Sequence, residues 1–146
     1  MFSVICILFF MGRFCIATPS EWLKTYSSIQ QALADDQWEK AKQLAETGKL
    51  ALTNAEQSPE KKMLSGLEAL GSSTSDSEAR KAFGHYSEGT TELIRANGDL
   101  KKKWQLFYCP MVPKDTFRFW VQSKGTDLRN PYYGSKMLTC GVKRPW

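Results

Sequence analysis

Four helix-start signals divide most of the chain into amphipathic segments. Two of them combine serine or threonine with proline and glutamate, at 18–21 and 58–60, and two are capping boxes that begin at Asp36 and Ser75. In a capping box the first side chain accepts a hydrogen bond from the third helical amide, while an acidic side chain three residues later reaches back. This pattern favours a fold in which helices follow one another with short connections.

Each start signal is followed by apolar residues at helical spacing. In the first segment the apolar residues are Trp22, Tyr26, Ile29 and Leu33. The same spacing recurs downstream and predicts helices over 19–34, 36–54, 58–70 and 75–98. Because short loops favour antiparallel neighbours, we expect an all-α fold, with an up-and-down four-helix bundle over residues 18–98.

The helical periodicity ends after Gly98. Prolines and glycines recur through 99–146, and they interrupt long helices. Residues 104–108 fit either a strand or an extended arm, alternation over 117–122 favours a short strand, and a helical turn fits 134–139. We therefore expect an aromatic-rich, irregular C-terminal segment that packs on the bundle, with both parts in one domain.

The first 17 residues are typical of a secretory signal peptide. The apolar run at 1–11 is shorter than the ~20 residues that cross a bilayer, and residues 15–17 fit a small-x-small cleavage site. Arg13 follows the apolar run instead of preceding it, which departs from the usual order. We expect a periplasmic mature chain that begins at Thr18 and contains no stable membrane span.

Charge is distributed unevenly along the chain. The net charge is +5, yet residues 99–146 contain ten basic and three acidic residues, whereas 18–98 contain nine basic and twelve acidic. A basic surface is common in nucleic-acid-binding proteins. Export makes that partner unexpected, so we interpret the basic segment as a solvated face and expect no nucleic acid.

Two cysteines remain if the signal peptide is removed, and each has a methionine nearby. Cys109 and Met111 are two residues apart and share a face in an extended segment. Met137 and Cys140 are three apart and share a face in a helical turn. Because thiolate and thioether sulfur are soft donors, the four sulfurs predict a site for Cu(I), with Ag(I) or zinc less favoured.

Other interpretations of these residues remain open. Two cysteines in an oxidising compartment often form a disulfide, and a Cys109–Cys140 bond would stabilise the fold by about 3–4 kcal/mol. His85, the single histidine of the chain, is either an additional ligand or an ordinary surface side chain. Zinc would suit two cysteines with His85, but it would leave both methionines without a role. Each methionine is also consistent with a plain core position.

No arrangement of residues predicts catalysis. A cysteine with His85 would be a nucleophile–base pair, but no companion motif supports it. Asp35 and Asp36 lie together at a helix boundary, where capping explains them. We expect no enzymatic activity.

The C-terminal motifs resemble a known family. These are YCPM at 108–111, Trp120, and RNPYYGSKMLTCG at 129–141. They are similar to a bacterial periplasmic family of helical domains of unknown function, found alone or appended to Cus-type copper/silver efflux adaptor proteins. Segments 32–36 and 79–87 are similar to that family's helices. The resemblance implies a helical bundle, a periplasmic location, a link to copper or related metals and no established enzymatic activity.

Residues and resemblance together predict an exported soft-metal protein that binds copper or silver for periplasmic resistance or delivery. An efflux adaptor or another envelope protein is the expected partner. The alternative is a disulfide-stapled interaction module that docks on such a partner without metal. The candidate ligands are Cys109, Met111, Met137, Cys140 and His85.

Overall fold

The computed structural model describes residues 19–52 and 58–146, so the predicted signal peptide at 1–17 and the Thr18 cap lie outside the described residues. The described helices are α1 (Pro19–Ala34), α2 (Trp38–Lys49), α3 (Glu60–Gly71), α4 (Asp76–Arg95) and α5 (Gly98–Lys103). The strands are β1 (Trp104–Tyr108), β2 (Phe119–Ser123) and β3 (Val142–Arg144). The protein is mainly helical, with a small antiparallel sheet in its C-terminal part.

Local sequence patterns located the longest helices well. α1 has the predicted bounds, and α4 begins one residue after its predicted cap, Ser75, and ends three residues before Gly98. α2 stops at Lys49, earlier than predicted, and the chain continues as a 3₁₀ turn at Leu50–Leu52. Residues 53–57, where the second predicted helix was to end, lie outside the described residues.

The predicted cap at Asp36 is wrong. The N-cap residue of α2 is Gln37, and Asp36 has a positive φ of 59°. Its carboxylate instead accepts a hydrogen bond from Arg80 at 2.8 Å and one from the backbone N–H of Ser135 at 3.1 Å. A tertiary contact therefore occupies the side chain that local sequence assigned to helix capping.

The other two described start signals differ in outcome. Pro59 is the N-cap residue of α3, so Ser58 lies one residue too far away to cap the helix as predicted. Ser75 does cap α4, where its hydroxyl accepts from the Glu78 N–H at 3.3 Å. The Glu78 carboxylate accepts hydrogen bonds from the N–H and the hydroxyl of Thr74. The reciprocal bond of a capping box, to the N–H of Ser75, is therefore replaced.

Glycines allow α3 and α4 to pack closely. A side chain at Gly66 would collide with the backbone of Tyr86, and one at Gly89 would collide with the backbone of Met63. Each helix thus contributes a glycine opposite a bulky residue of the other. α2 packs on both α1 and α3, and α1 also contacts α4.

The three strands form a sheet in the order β2-β1-β3, with both pairs antiparallel. Leu106 of β1 lies opposite Val121 on one side and Arg144 on the other. The prediction of a strand around Phe119 is confirmed, and 104–108 form a strand, not an extended arm. α5 and β3 were not predicted, because both are too short to show a clear period.

The sheet shares its hydrophobic cluster with the helices. Tyr26 of α1 is fully buried, and its hydroxyl accepts from the Val121 N–H of β2 at 3.2 Å. The same hydroxyl lies 2.8 Å from the Ser87 hydroxyl of α4. Across residues 19–52 and 58–146, no helix combines the length and apolar composition that crossing a bilayer requires.

Candidate metal centre

The two C-terminal cysteines lie side by side. Cys109 follows β1 and is fully buried, whereas Cys140 follows a 3₁₀ segment at Gly134–Met137 and is half-buried. Their Sγ atoms are 3.5 Å apart, and both are free thiols. Tertiary structure thus brings together two candidate ligands that are distant in sequence.

A tight turn separates Met111 from Cys109. The Cys109 N–H donates to the Arg118 carbonyl at 3.1 Å, and the Val112 N–H donates back to the Cys109 carbonyl at 3.4 Å. Pro110 occupies the second position of this turn, where its fixed φ is favoured. The expectation of an extended segment with Cys109 and Met111 on one face is therefore wrong. Cys109 points into the core, while Met111 is 58% exposed.

The helical turn expected before Cys140 is present. It is the 3₁₀ segment Gly134–Met137, after which the Cys140 N–H donates to the Met137 carbonyl at 3.0 Å. Met137 is half-buried. This backbone bond places Met137 one turn before Cys140.

Asn130, which is fully buried, shapes the loop that carries Cys140. Its side-chain amide donates to the Cys140 carbonyl at 2.7 Å, and its side-chain oxygen accepts from the N–H groups of Tyr132 and Tyr133. Its own N–H donates to the Leu138 carbonyl at 2.7 Å. Asn130 therefore holds the backbone of Cys140 in place.

The turn between α1 and α2 contacts the loop that carries Cys140. Gly134 has a positive φ of 55°, and any side chain there would collide with the Asp36 carboxylate. Hydrogen bonds from Ser135, together with the charge of Arg80, lower the pKa of Asp36. Asp36 therefore stays ionised and anchors the loop to the helices.

Arg80 attaches this loop to α1 and α4. Its Nη1 donates to the carbonyls of Leu33 at 2.9 Å and Pro131 at 2.6 Å, and its Nε donates to the Asp76 carboxylate at 2.8 Å. Its Nη2 donates to Asp36. No motif marks Arg80 as a site residue. In the sequence it is one of two adjacent cations, Arg80 and Lys81, and nothing there distinguishes it from its neighbour.

Aromatic residues join the two cysteine-bearing segments. The Tyr133 hydroxyl donates to the Met111 carbonyl at 2.5 Å, which links the two turns directly. Trp120 is fully buried, stacks on Phe107 and contacts Tyr132 edge-on. Trp120, Tyr132 and Cys109 belong to the same hydrophobic cluster.

Burial raises the pKa of the Cys140 thiol, and the neighbouring Cys109 adds to this rise. Cys140 therefore holds its proton at neutral pH. A protonated thiol is a poor nucleophile. A metal that binds here must displace that proton.

His85 lies at another place on the molecule. It is exposed on α4 and lines a groove of about 830 Å³ together with Tyr108 and Arg144. Within the described ranges, no three histidine, cysteine, aspartate or glutamate side chains come together as a metal-holding group. The structure does not bring His85 to the cysteines, so a zinc site of Cys109, Cys140 and His85 is not formed.

Comparisons with protein-family models, curated proteins and solved structures find no match to this chain. The family resemblance of the C-terminal motifs therefore stays a prediction.

Proposed function

We propose that this chain is a soft-metal-binding protein that holds Cu(I), or Ag(I) in its place, through the thiolates of Cys109 and Cys140. The observation that carries the proposal is the 3.5 Å separation of two reduced sulfur atoms. In a tetrahedral site with metal–sulfur bonds of about 2.3 Å, two sulfurs lie about 3.8 Å apart. The pair needs only a small adjustment to chelate one ion.

The surrounding residues favour a soft monovalent ion over zinc. A structural zinc site has four nitrogen, thiolate or carboxylate ligands, and the described residues group no three such side chains. Met137 lies one turn from Cys140. Met111 is exposed, and a methionine side chain is flexible, with three rotatable bonds. Thioethers suit Cu(I), so these methionines are the proposed additional ligands.

The biological setting is part of the same proposal. The signal-like sequence at 1–17 and the resemblance of 108–111 and 129–141 to a periplasmic, copper-associated family support an exported protein. Its role is metal resistance or delivery in the periplasm, with an efflux adaptor or another envelope protein as partner. For the helices we propose the up-and-down four-helix arrangement that their short connections favour.

The test is an anaerobic Cu(I) titration of the reduced mature protein in competition with a chromophoric chelator. We expect stoichiometric binding by the wild type and its loss in Cys109→Ser and Cys140→Ser. Met137→Leu and Met111→Leu should weaken binding without abolishing it. His85→Ala is the matched control, because His85 lies away from the thiols, and it should bind like the wild type. A reduced wild-type protein that cannot compete with the chelator would refute the metal site.

A second candidate is a disulfide-stapled interaction module without metal. The same 3.5 Å separation favours it, since the sulfurs must approach by only about 1.5 Å to reach the usual bond length. Counting free thiols in protein purified from its native compartment separates the two functions. A fully oxidised pair that resists mild reductant supports the stapled module, and two titratable thiols support the metal site.

A further inference from the structure

A second surface lies where α4 leaves part of the sheet uncovered. We call it the basic groove; it is defined by Arg95, Lys114, Arg118 and Arg144 around Tyr108 and Phe119. Its volume is about 830 Å³. Neither cysteine lines it.

The floor of the basic groove is an apolar sheet face. Tyr108 lies opposite Phe119 on one side and Val142 on the other, and directly opposite residues share a face. α4 packs on β2, while β3 lies on the far side of β1. The face therefore extends beyond the helix, and Val142 is 49% exposed.

The basic groove carries a net positive charge. Its two carboxylates already have partners outside the groove: Glu88 pairs with Lys62 at 3.1 Å, and Asp115 pairs with Lys81 at 2.8 Å. In the part of the chain that the structure describes, four cations of the groove form no ion pair: Arg95, Lys114, Arg118 and Arg144. These four cations outnumber the two carboxylates of the groove, which favours an anionic partner.

Tyr108 holds two of these cations in place. The guanidinium carbons of Arg118 and Arg144 lie 5.4 Å and 5.1 Å from the centre of its ring. Such cation–π contacts restrict the guanidinium groups but leave their N–H donors available. A planar guanidinium binds a carboxylate with two parallel hydrogen bonds, so the groove presents two partly preorganised carboxylate sites.

We propose that the basic groove docks an acidic, extended peptide segment of a partner protein. Successive side chains of an extended peptide point to opposite sides. A segment that alternates acidic and apolar residues can therefore contact both the cations and the apolar floor of the groove. Its carboxylates bind Arg118 and Arg144, and an apolar side chain packs on Tyr108 and Phe119. A purely anionic polymer would use the cations and leave the apolar floor exposed to water.

The test is fluorescence anisotropy with labelled ten-residue peptides in which glutamate alternates with phenylalanine. Matched peptides carry lysine in place of glutamate, or serine in place of phenylalanine. A single-stranded oligonucleotide and vesicles of anionic lipid serve as other anions. We expect the acidic aromatic peptide to bind best, and its affinity to fall as ionic strength rises.

Two double variants of equal net charge localise the site. Arg118→Gln with Arg144→Gln should weaken peptide binding by about tenfold or more. Lys40→Gln with Lys124→Gln, at exposed positions outside the groove, should leave binding unchanged, and melting curves check that both variants fold. The proposal is overturned by absent peptide binding, by equal losses in both variants, by indifference to the sign of the peptide charge, or by tighter binding of oligonucleotide or vesicles.

Discussion

At the residue scale, neighbours in sequence can have opposite environments. Cys109 is buried and Met111 is 58% exposed, because the turn at Pro110 reverses the chain between them. The second thiol of the pair, Cys140, lies in the loop that Asn130 holds by hydrogen bonds. Sulfur ligands that look equivalent in the sequence therefore differ in solvent access, and the two thiols form the centre of the candidate site.

The raised pKa of Cys140 predicts how metal binding depends on pH. Below that pKa the thiol carries a proton that Cu(I) must displace, so the apparent affinity should rise by about tenfold per pH unit for this thiol. Chelator competition over a range of pH around neutrality measures the slope. An affinity of the wild type that does not change with pH would contradict the prediction.

At the element scale, the closest helix packing depends on two glycines. Gly66 of α3 and Gly89 of α4 each lie against the backbone of the other helix. Glycine is the poorest helix former after proline, so local propensity alone argues against it within both helices. Tertiary packing favours glycine at both positions, because the two helices approach too closely for a side chain.

Replacing Gly89 by alanine tests this packing, because close packing and an open helix surface predict opposite signs for the change in the free energy of unfolding. In a solvated helix the change stabilises by about 0.5–1 kcal/mol. Here the new Cβ would lie 2.8 Å from the Met63 backbone nitrogen, so we expect the free energy of unfolding to fall by about 1–3 kcal/mol. Urea denaturation measures it. Ser65→Ala, at an exposed position of α3, is the control and should be neutral or slightly stabilising. A stabilising Gly89→Ala would show that the helices are farther apart.

At the scale of the whole molecule, one buried cation joins the helices to the cysteine-bearing loop. Arg80 binds carbonyls of both α1 and the loop, together with two aspartates. Its side chain is 10% exposed, whereas those of Asp36 and Asp76 are 42% and 45% exposed. The energetic importance of Arg80 therefore lies mainly in the buried carbonyl groups that it satisfies.

Arg80→Met should lower the free energy of unfolding by about 2–4 kcal/mol, since it leaves buried carbonyls without donors and removes the link to the loop. Urea denaturation measures the loss, and faster alkylation of Cys140 reports loosening of the loop. Lys81→Met is the matched control. Its exposed pair with Asp115 should contribute less than about 1 kcal/mol. Similar losses in both variants would mean that the contacts of Arg80 do not hold the two parts together.

The sequence by itself determined the features that depend on neighbours along the chain. Apolar spacing located α1 and α4, the Ser75 signal located a cap, and the local pattern indicated the helical turn within 134–139. These predictions succeeded because helix periodicity and turn chemistry involve residues within a few positions of one another.

Only the tertiary structure decided what depends on distant partners. Asp36 lies at a position where the sequence predicts a helix cap, yet its carboxylate accepts hydrogen bonds from Arg80 and Ser135. His85 and the cysteines are all chemically suited to metal, yet the fold places the thiols 3.5 Å apart and leaves His85 beside the basic groove. Local propensities are worth tenths of a kcal/mol to about 1 kcal/mol per residue, whereas a buried charge or an unpaired polar group costs several times as much. Distant contacts therefore override local signals wherever the two conflict.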